Sequence, residues 1–355
     1  MELLRKLRHR RAESAAVPGI HSKKERRRFI RRRFVLLGVV LVFGLFAALR
    51  ESSSTWTIST DSNPDKFMDD THITIQPRTP IFPSIALVVH FTWPPHAGVF
   101  AKLFFLYGHV FGTIAFCGRA PDFPVDPSIV FFSCDSRASK ESIHGALMYK
   151  CFAHAATSIK FTDKITSILF TNDDVVLNYW NFDRLSTDSI WFPDLDQATP
   201  TLYRQSLSGP VDTSWQWHKP SIGLDAYKQA VASMSGDYRT NLLSQNKFDL
   251  SNVAIGAVSD LIHIPLRLRH SLLELCDLFT QNEVFLEIAV PAILLAVEPY
   301  ERWEKLNGRY LDYNEREDIV GSYSESMDFL HPVYLFEKNG ENHFPFVKEI
   351  FVRHV

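Results

Sequence analysis

The stretch ILFTNDDVVLNYW, from Ile168 to Trp180, sets Asn172, Asp173 and Asp174 directly between two apolar runs. An ionised carboxylate buried without a partner is very costly, so these groups either ligate something or turn the chain. Two adjacent acids at a strand end suit a Mg²⁺ or Mn²⁺ ion that neutralises phosphate oxygens, one reaching the metal and the other a ligand hydroxyl. The same residue types also serve in plain turns and helix caps. A second candidate is Glu287, in NEVFLEIAVPAILLAVE from Asn282 to Glu298, with Phe285, Ile288, Ala289 and Ala292 around it at helical packing intervals. A carboxylate so placed is either paired inside the core or carries a raised pKa, as a general base does. Asp260, in SDLIHIP, has a comparable claim, as an acid at the site or as a cap after a Val253 to Val258 strand.

The elements that must position these residues alternate. Ile85 to Phe91 (IALVVHF) is an apolar run of strand length, and Ala97 to Tyr107 has helical spacing. Gly112 to Phe116 and Ile129 to Phe132 are again strand-like, Glu141 to Ile159 is long enough for a helix, and Thr166 to Phe170 leads into the acidic triplet. Strands alternating with helices predict an α/β fold, a mostly parallel sheet flanked by helices. In such sheets ligands bind beyond the carboxyl ends of strands, which is where the triplet falls. Leu224 to Leu243 reads as one helix, after a Gly/Pro-punctuated loop from Ser208 to Pro220. Tyr179, Trp180, Phe182, Trp191 and Phe192, with Trp215 and Trp217 downstream, are either core or a platform on which a sugar stacks.

Charge divides the chain. Residues 1–33 carry thirteen Lys/Arg against three Glu, and Phe34 to Leu49 then runs without a charge. This predicts a basic cytoplasmic tail over 1–33 and a signal anchor over 34–49, short for a ~30 Å hydrocarbon core but suited to thin Golgi membranes. A cleaved signal peptide is the rival reading. The positive-inside rule puts everything after Arg50 in the lumen, a single-pass type II arrangement. Residues 50–80, rich in Ser, Thr, Asp and Pro, read as a stem, and 81–355 as one large lumenal domain. The part beyond residue 49 is acidic, with 25 Lys/Arg against 37 Asp/Glu, which argues against nucleic acid as a partner. Cys117, Cys134, Cys151 and Cys276 all lie on the lumenal side, where at least one disulfide is expected, with three pairings open. Their spacing forms no CxxC, and the chain contains no GxSxG or HExxH motif.

Taken with the anchor, the triplet resembles the DxD motif of Golgi glycosyltransferases of the GT-A type. The longer pattern, Met148-Tyr149-Lys150-Cys151, then SILFTNDDVVLNYWNF, then Ile190-Trp191-Phe192, is similar to the glycosyltransferase-like lumenal region of nematode proteins of unknown function and of the plant STELLO proteins. The resemblance covers roughly Ile85 to Leu335. It implies a GT-A-like domain, a nucleotide-sugar donor, a glycan or protein acceptor, and Mn²⁺ (or Mg²⁺) as cofactor. Residue by residue, it implies donor contacts from Asn172 and Asp173 and a metal contact from Asp174. Asn172 stands at the first DxD position without a charge. MDFLHPVYLF, Met327 to Phe336, is similar to the C-terminal His-Pro segment that completes the metal site in several such enzymes, which makes His331 the second ligand. A carboxylate and a neutral imidazole share Mn²⁺ readily, whereas Mg²⁺ prefers oxygen throughout. Tyr334 stands where related sequences often have Lys. Glu287 and Asp260 are the candidates to deprotonate the acceptor hydroxyl. The competing class is a catalytically inactive lumenal scaffold that organises other Golgi enzymes, and either a homo- or a hetero-oligomer fits the sequence.

Overall fold

A computed structural model describes residues 79–354, except 140–142, 160–163, 196–201, 210–220, 246, 312–314 and 337–341. The expected tail, span and nearly all of the stem lie outside the described residues, as do Trp215 and Trp217. Among the described residues no helix is long and apolar enough to cross a membrane.

The strands are β1 (Phe82–Phe91), β2 (Phe111–Gly118), β3 (Val130–Ser133), β4 (Ser167–Asn172), β5 (Val176–Leu177) and β6 (Trp191–Pro193). They continue with β7 (Leu202–Ser206), β8 (Val253–Ala257), β9 (Leu261–Pro265), β10 (Glu304–Leu306), β11 (Gly308–Tyr310) and β12 (Phe329–His331). The main helices are α1 (Ala97–Tyr107), α2 (Met148–Ser158), α3 (Leu224–Ser233), α4 (Gly236–Leu243), α5 (Arg269–Gln281), α6 (Leu286–Val297) and α7 (Phe344–Val352). Seven strands form the main sheet in the order β10-β6-β9-β4-β1-β2-β3. Its neighbours run parallel except β9, which is antiparallel to both β4 and β6. The expected mixed α/β architecture with a large, mostly parallel sheet flanked by helices is therefore present.

The reason is visible in β1. Leu87, Val89 and Phe91 enter one core, with α1 and α7, while Val88 enters the other, with α2, α5 and α6. A strand covered on both faces needs a continuous apolar run, which is what IALVVHF supplies. Helix α6 is buried almost all round, as expected of a helix inside a large core rather than on its surface. A disulfide joins Cys134, just after β3, to Cys151 on α2, while Cys117 and Cys276 stay reduced and buried.

Two expectations need correction, and one alternative left open is decided. The helix expected from Glu141 begins only at Met148, because Gly145 takes a left-handed φ of 75° and the Leu147 amide donates to the Ser136 carbonyl. The single helix expected over Leu224 to Leu243 is two, separated where Met234 and Ser235 turn extended in a Ser-Met-Ser-Gly run of modest helix formers. Tyr179, Phe182, Trp191 and Phe192 are fully buried, so they are core and not a sugar platform.

Candidate functional site

The site forms where sheet topology brings distant segments to one edge. Asn172 closes β4, paired in register with His90 near the end of β1. Because β9 runs antiparallel to β4, its beginning lies beside the end of β4, and the Asn172 amide donates to the Asp260 carbonyl at 3.0 Å. Asp173 and Asp174 then turn the chain into β5. Strand β12 pairs antiparallel to β5, Leu330 opposite Val176, which carries His331 back to the turn. There the Val333 amide donates to the Asp174 carbonyl at 2.7 Å. The His331-Pro332 peptide is cis.

These segments line a cavity of about 410 Å³. One side holds Asn172, Asp173, Asp174, Asp260 and His331, and the other Thr92, Trp93, Pro94, Pro95 and His96, with Tyr334 and Phe336. Five of the six residues singled out in the sequence thus converge. Glu287, in the first turn of α6, does not line the cavity, although its carboxyl interacts electrostatically with both Asp260 and His331.

The charges are mutually dependent. His331 Nε2 lies 3.3 Å from Asp174 Oδ1 and 3.8 Å from Asp260 Oδ1. Burial alone would lower the imidazole pKa, but the two carboxylates overcome it and hold the pKa at about 9. Burial, and then the nearby Asp174 charge, raise Asp260 against the opposing pull of His331 and Asn172. Burial and then Asp260 push Glu287 up to about 8. Arg316 donates to the Tyr334 hydroxyl at 3.2 Å, and its charge reaches His331. Position 334 is thus a tyrosine with an arginine bound to it.

Asp174 and His331 supply one hard oxygen and one imidazole nitrogen from a single cleft, a donor set that suits Mn²⁺ better than Mg²⁺. Among the described residues no group of three or more His, Cys, Asp or Glu side chains is placed to hold a metal ion.

Sequence reading missed the wall after β1. Trp93 is 55% exposed and stacks on His144 with ring centroids 4.0 Å apart, which makes it the cavity's open aromatic face. The strand-end rule that flagged the triplet applies equally to Thr92-Trp93-Pro94-Pro95-His96 and would have found it. Buried His90 and Ser136 were also missed, because a histidine inside an apolar strand carries no motif.

No family model matches the chain. It is 24% identical over 186 residues to a protein of Arabidopsis thaliana described as "Probable glycosyltransferase STELLO1", and 23% identical over 179 residues to "Probable glycosyltransferase STELLO2" of the same plant. Each match covers 49% of this chain and 22% of the relative, so the chain aligns with about a fifth of the length of the curated relatives. Among solved structures, the apo form of WbbM, a bifunctional glycosyltransferase, superposes with a TM-score of 0.36 at 10% identity, over 77% of this chain and 50% of that one. The resemblance read from the sequence is borne out: across about half its length this chain is a sequence relative of the STELLO proteins.

Proposed function

We propose that the chain is a Golgi glycosyltransferase, a type II membrane protein whose GT-A-like lumenal domain moves a sugar from a nucleotide-sugar donor to a glycan or protein acceptor. The observation that carries this reading is the convergence of Asp173, Asp174, Asp260 and His331 on one cavity at the carboxyl edge of a mostly parallel sheet, in a relative of proteins described as probable glycosyltransferases.

In this reading Asp174 and His331 hold a Mn²⁺ ion, which would neutralise charge growing on the leaving diphosphate. Asp173 orients the donor's hydroxyls. Arg316, which donates to the Tyr334 hydroxyl, would add positive charge near His331. Trp93 offers its open face to a sugar or base ring. Asp260 is the acceptor-side base, because it lines the cavity and has a raised pKa, the two requirements of a carboxylate that must accept a proton from a hydroxyl. Glu287, away from the cavity lining and protonated at neutral pH, tunes that field rather than taking the proton.

The test is a panel of UDP- and GDP-sugars offered to the full-length protein with and without Mn²⁺. Metal-dependent nucleotide release supports the enzyme. No metal-dependent binding of any nucleotide would leave the scaffold reading standing.

A further inference from the structure

Asn172 does not stand in the cavity as a bare donor ligand, since each end of its amide is taken by a residue behind it. Its Oδ1 lies 3.0 Å from His90 Nδ1, and its Nδ2 donates to Asp260 Oδ1. The other ring nitrogen of His90, Nε2, lies 3.1 Å from the Ser136 hydroxyl. His90 has no exposed surface, Ser136 is 4% exposed, and Asn172 and Asp260 are 9% exposed each, so water does not compete for these contacts.

With Asp260 ionised, as a base must be before it takes a proton, the contacts have one polarity. An ionised Asp260 accepts only, so Asn172 must present its NH₂ there and its carbonyl to His90. His90 must then donate from Nδ1–H, which leaves Nε2 bare to accept from the Ser136 O–H. The four groups form a chain of donors running from Ser136 through His90 and Asn172 and ending on the carboxylate. It joins the loop after β3, the end of β1, the end of β4 and the residue before β9, so it ties three strand ends to one oxygen. An ionised aspartate at position 172 could accept from His90 but could not complete the chain, because it has no N–H to donate to Asp260 and would repel that carboxylate. This explains why an amide stands at the first position of the acidic triplet.

We propose that His90 and Ser136 are positioning residues that act through the Asn172 amide to hold the Asp260 carboxylate in one orientation at the cavity. The proposal rests on the reading of Asp260 as the acceptor-side base. Groups that orient a site residue through one hydrogen bond typically matter ten- to a hundredfold, and members of one chain lose their effect together rather than separately.

The experiment follows from the polarity. His90→Gln keeps a donor toward Asn172 and an acceptor toward Ser136, whereas His90→Leu keeps neither. In the full-length protein, turnover of UDP- and GDP-sugars with Mn²⁺ is expected to lose roughly ten- to a hundredfold in kcat for His90→Leu and for Asn172→Asp, with KM within about twofold. The double variant should be no worse than the worse single one, and His90→Gln should retain most of the rate. In parallel, ¹⁵N-histidine spectra at pH 7, assigned with His90→Gln, should show His90 neutral and protonated on Nδ1. Folded His90→Leu with wild-type kcat, His90→Gln as damaged as His90→Leu, or losses that multiply in the double variant would overturn the proposal. An Nε2–H tautomer or an imidazolium would overturn it too. If wild-type protein turns over no nucleotide sugar, the glycosyltransferase reading fails by itself and the spectra still decide whether the chain exists.

Discussion

If Mn²⁺ binds between Asp174 and His331, it must first expel a proton. Two carboxylates hold the His331 pKa at about 9, so at pH 7 only about one imidazole in a hundred is free to ligate. The competition costs on the order of a few kcal/mol. The sign follows: raising the pH towards 9 removes the competing proton, so Mn²⁺ affinity should climb about tenfold per pH unit and level off above 9. Calorimetry at pH 7 in buffers of different ionisation heat should count close to one proton released per ion bound. His331→Gln leaves no titrating ligand, so it should bind Mn²⁺ more weakly, flatten the pH slope and abolish the release. Asp260→Asn removes one of the charges that sustain the high pKa, and should reduce the slope without abolishing binding. Wild-type affinity that stays flat between pH 6.5 and 8.5, with no proton released, would refute the assignment of His331 as a ligand.

The remaining predictions concern charge, covalent structure and topology. Glu287 has its pKa raised from 4.5 to about 8, so the stability it contributes is fully present below pH 4.5 and is lost as pH rises through 8. Urea unfolding at pH 6 and pH 9 should therefore show wild-type protein weakening by up to several kcal/mol more than Glu287→Gln. Equal losses would mean that the carboxyl is not perturbed. Non-reducing mass mapping should find Cys134 joined to Cys151 and the other two thiols free. Replacing both bridged cysteines by Ser should cost about 3 kcal/mol for a link spanning 17 residues, read as a lower denaturation midpoint. In sealed microsomes a C-terminal tag should resist protease until detergent is added, and digestion without detergent would contradict the type II arrangement.

What could be read in the chain depended on whether the signal was local. Strand β1 announced itself because five successive apolar residues, Ile85 to Val89, followed after His90 by Phe91, suit a strand buried on both faces. Helix α1 did so because Val99, Phe100, Leu103 and Leu106 recur at helical spacing on one core. The start of α2 was hidden, since Gly145 stops the helix by a left-handed turn that leaves the hydrophobic pattern around it unchanged. The aromatic cluster could not be decided between core and platform, because composition counts rings without saying which face water. Trp191 and Phe192 are buried, whereas Trp93, alone between Thr and two prolines, is the ring at the cavity. The meeting of Asp174 with His331 was accessible only through resemblance, for no local rule reveals that β12 returns beside β5 after more than 150 residues.

The acidic groups around the cavity oppose one another's ionisation. Asp174, Asp260 and Glu287 bring three carboxyls towards one imidazole, and burial makes their repulsion expensive. Glu287 keeps its proton at neutral pH and His331 gains one, so each relieves negative charge at one edge of the same cluster. A fold that wanted only to bury these positions would place apolar side chains there, as it does throughout α6 one turn beyond Glu287. A site awaiting a divalent cation needs the opposite: excess acid held in reserve, with a removable proton standing where the ion will sit. His331 meets that description, because it lies against two cavity carboxylates and offers a metal-binding nitrogen once its proton leaves. Were a divalent cation bound between Asp174 and His331, its charge would oppose the field that raises Glu287, and that carboxyl would ionise at lower pH.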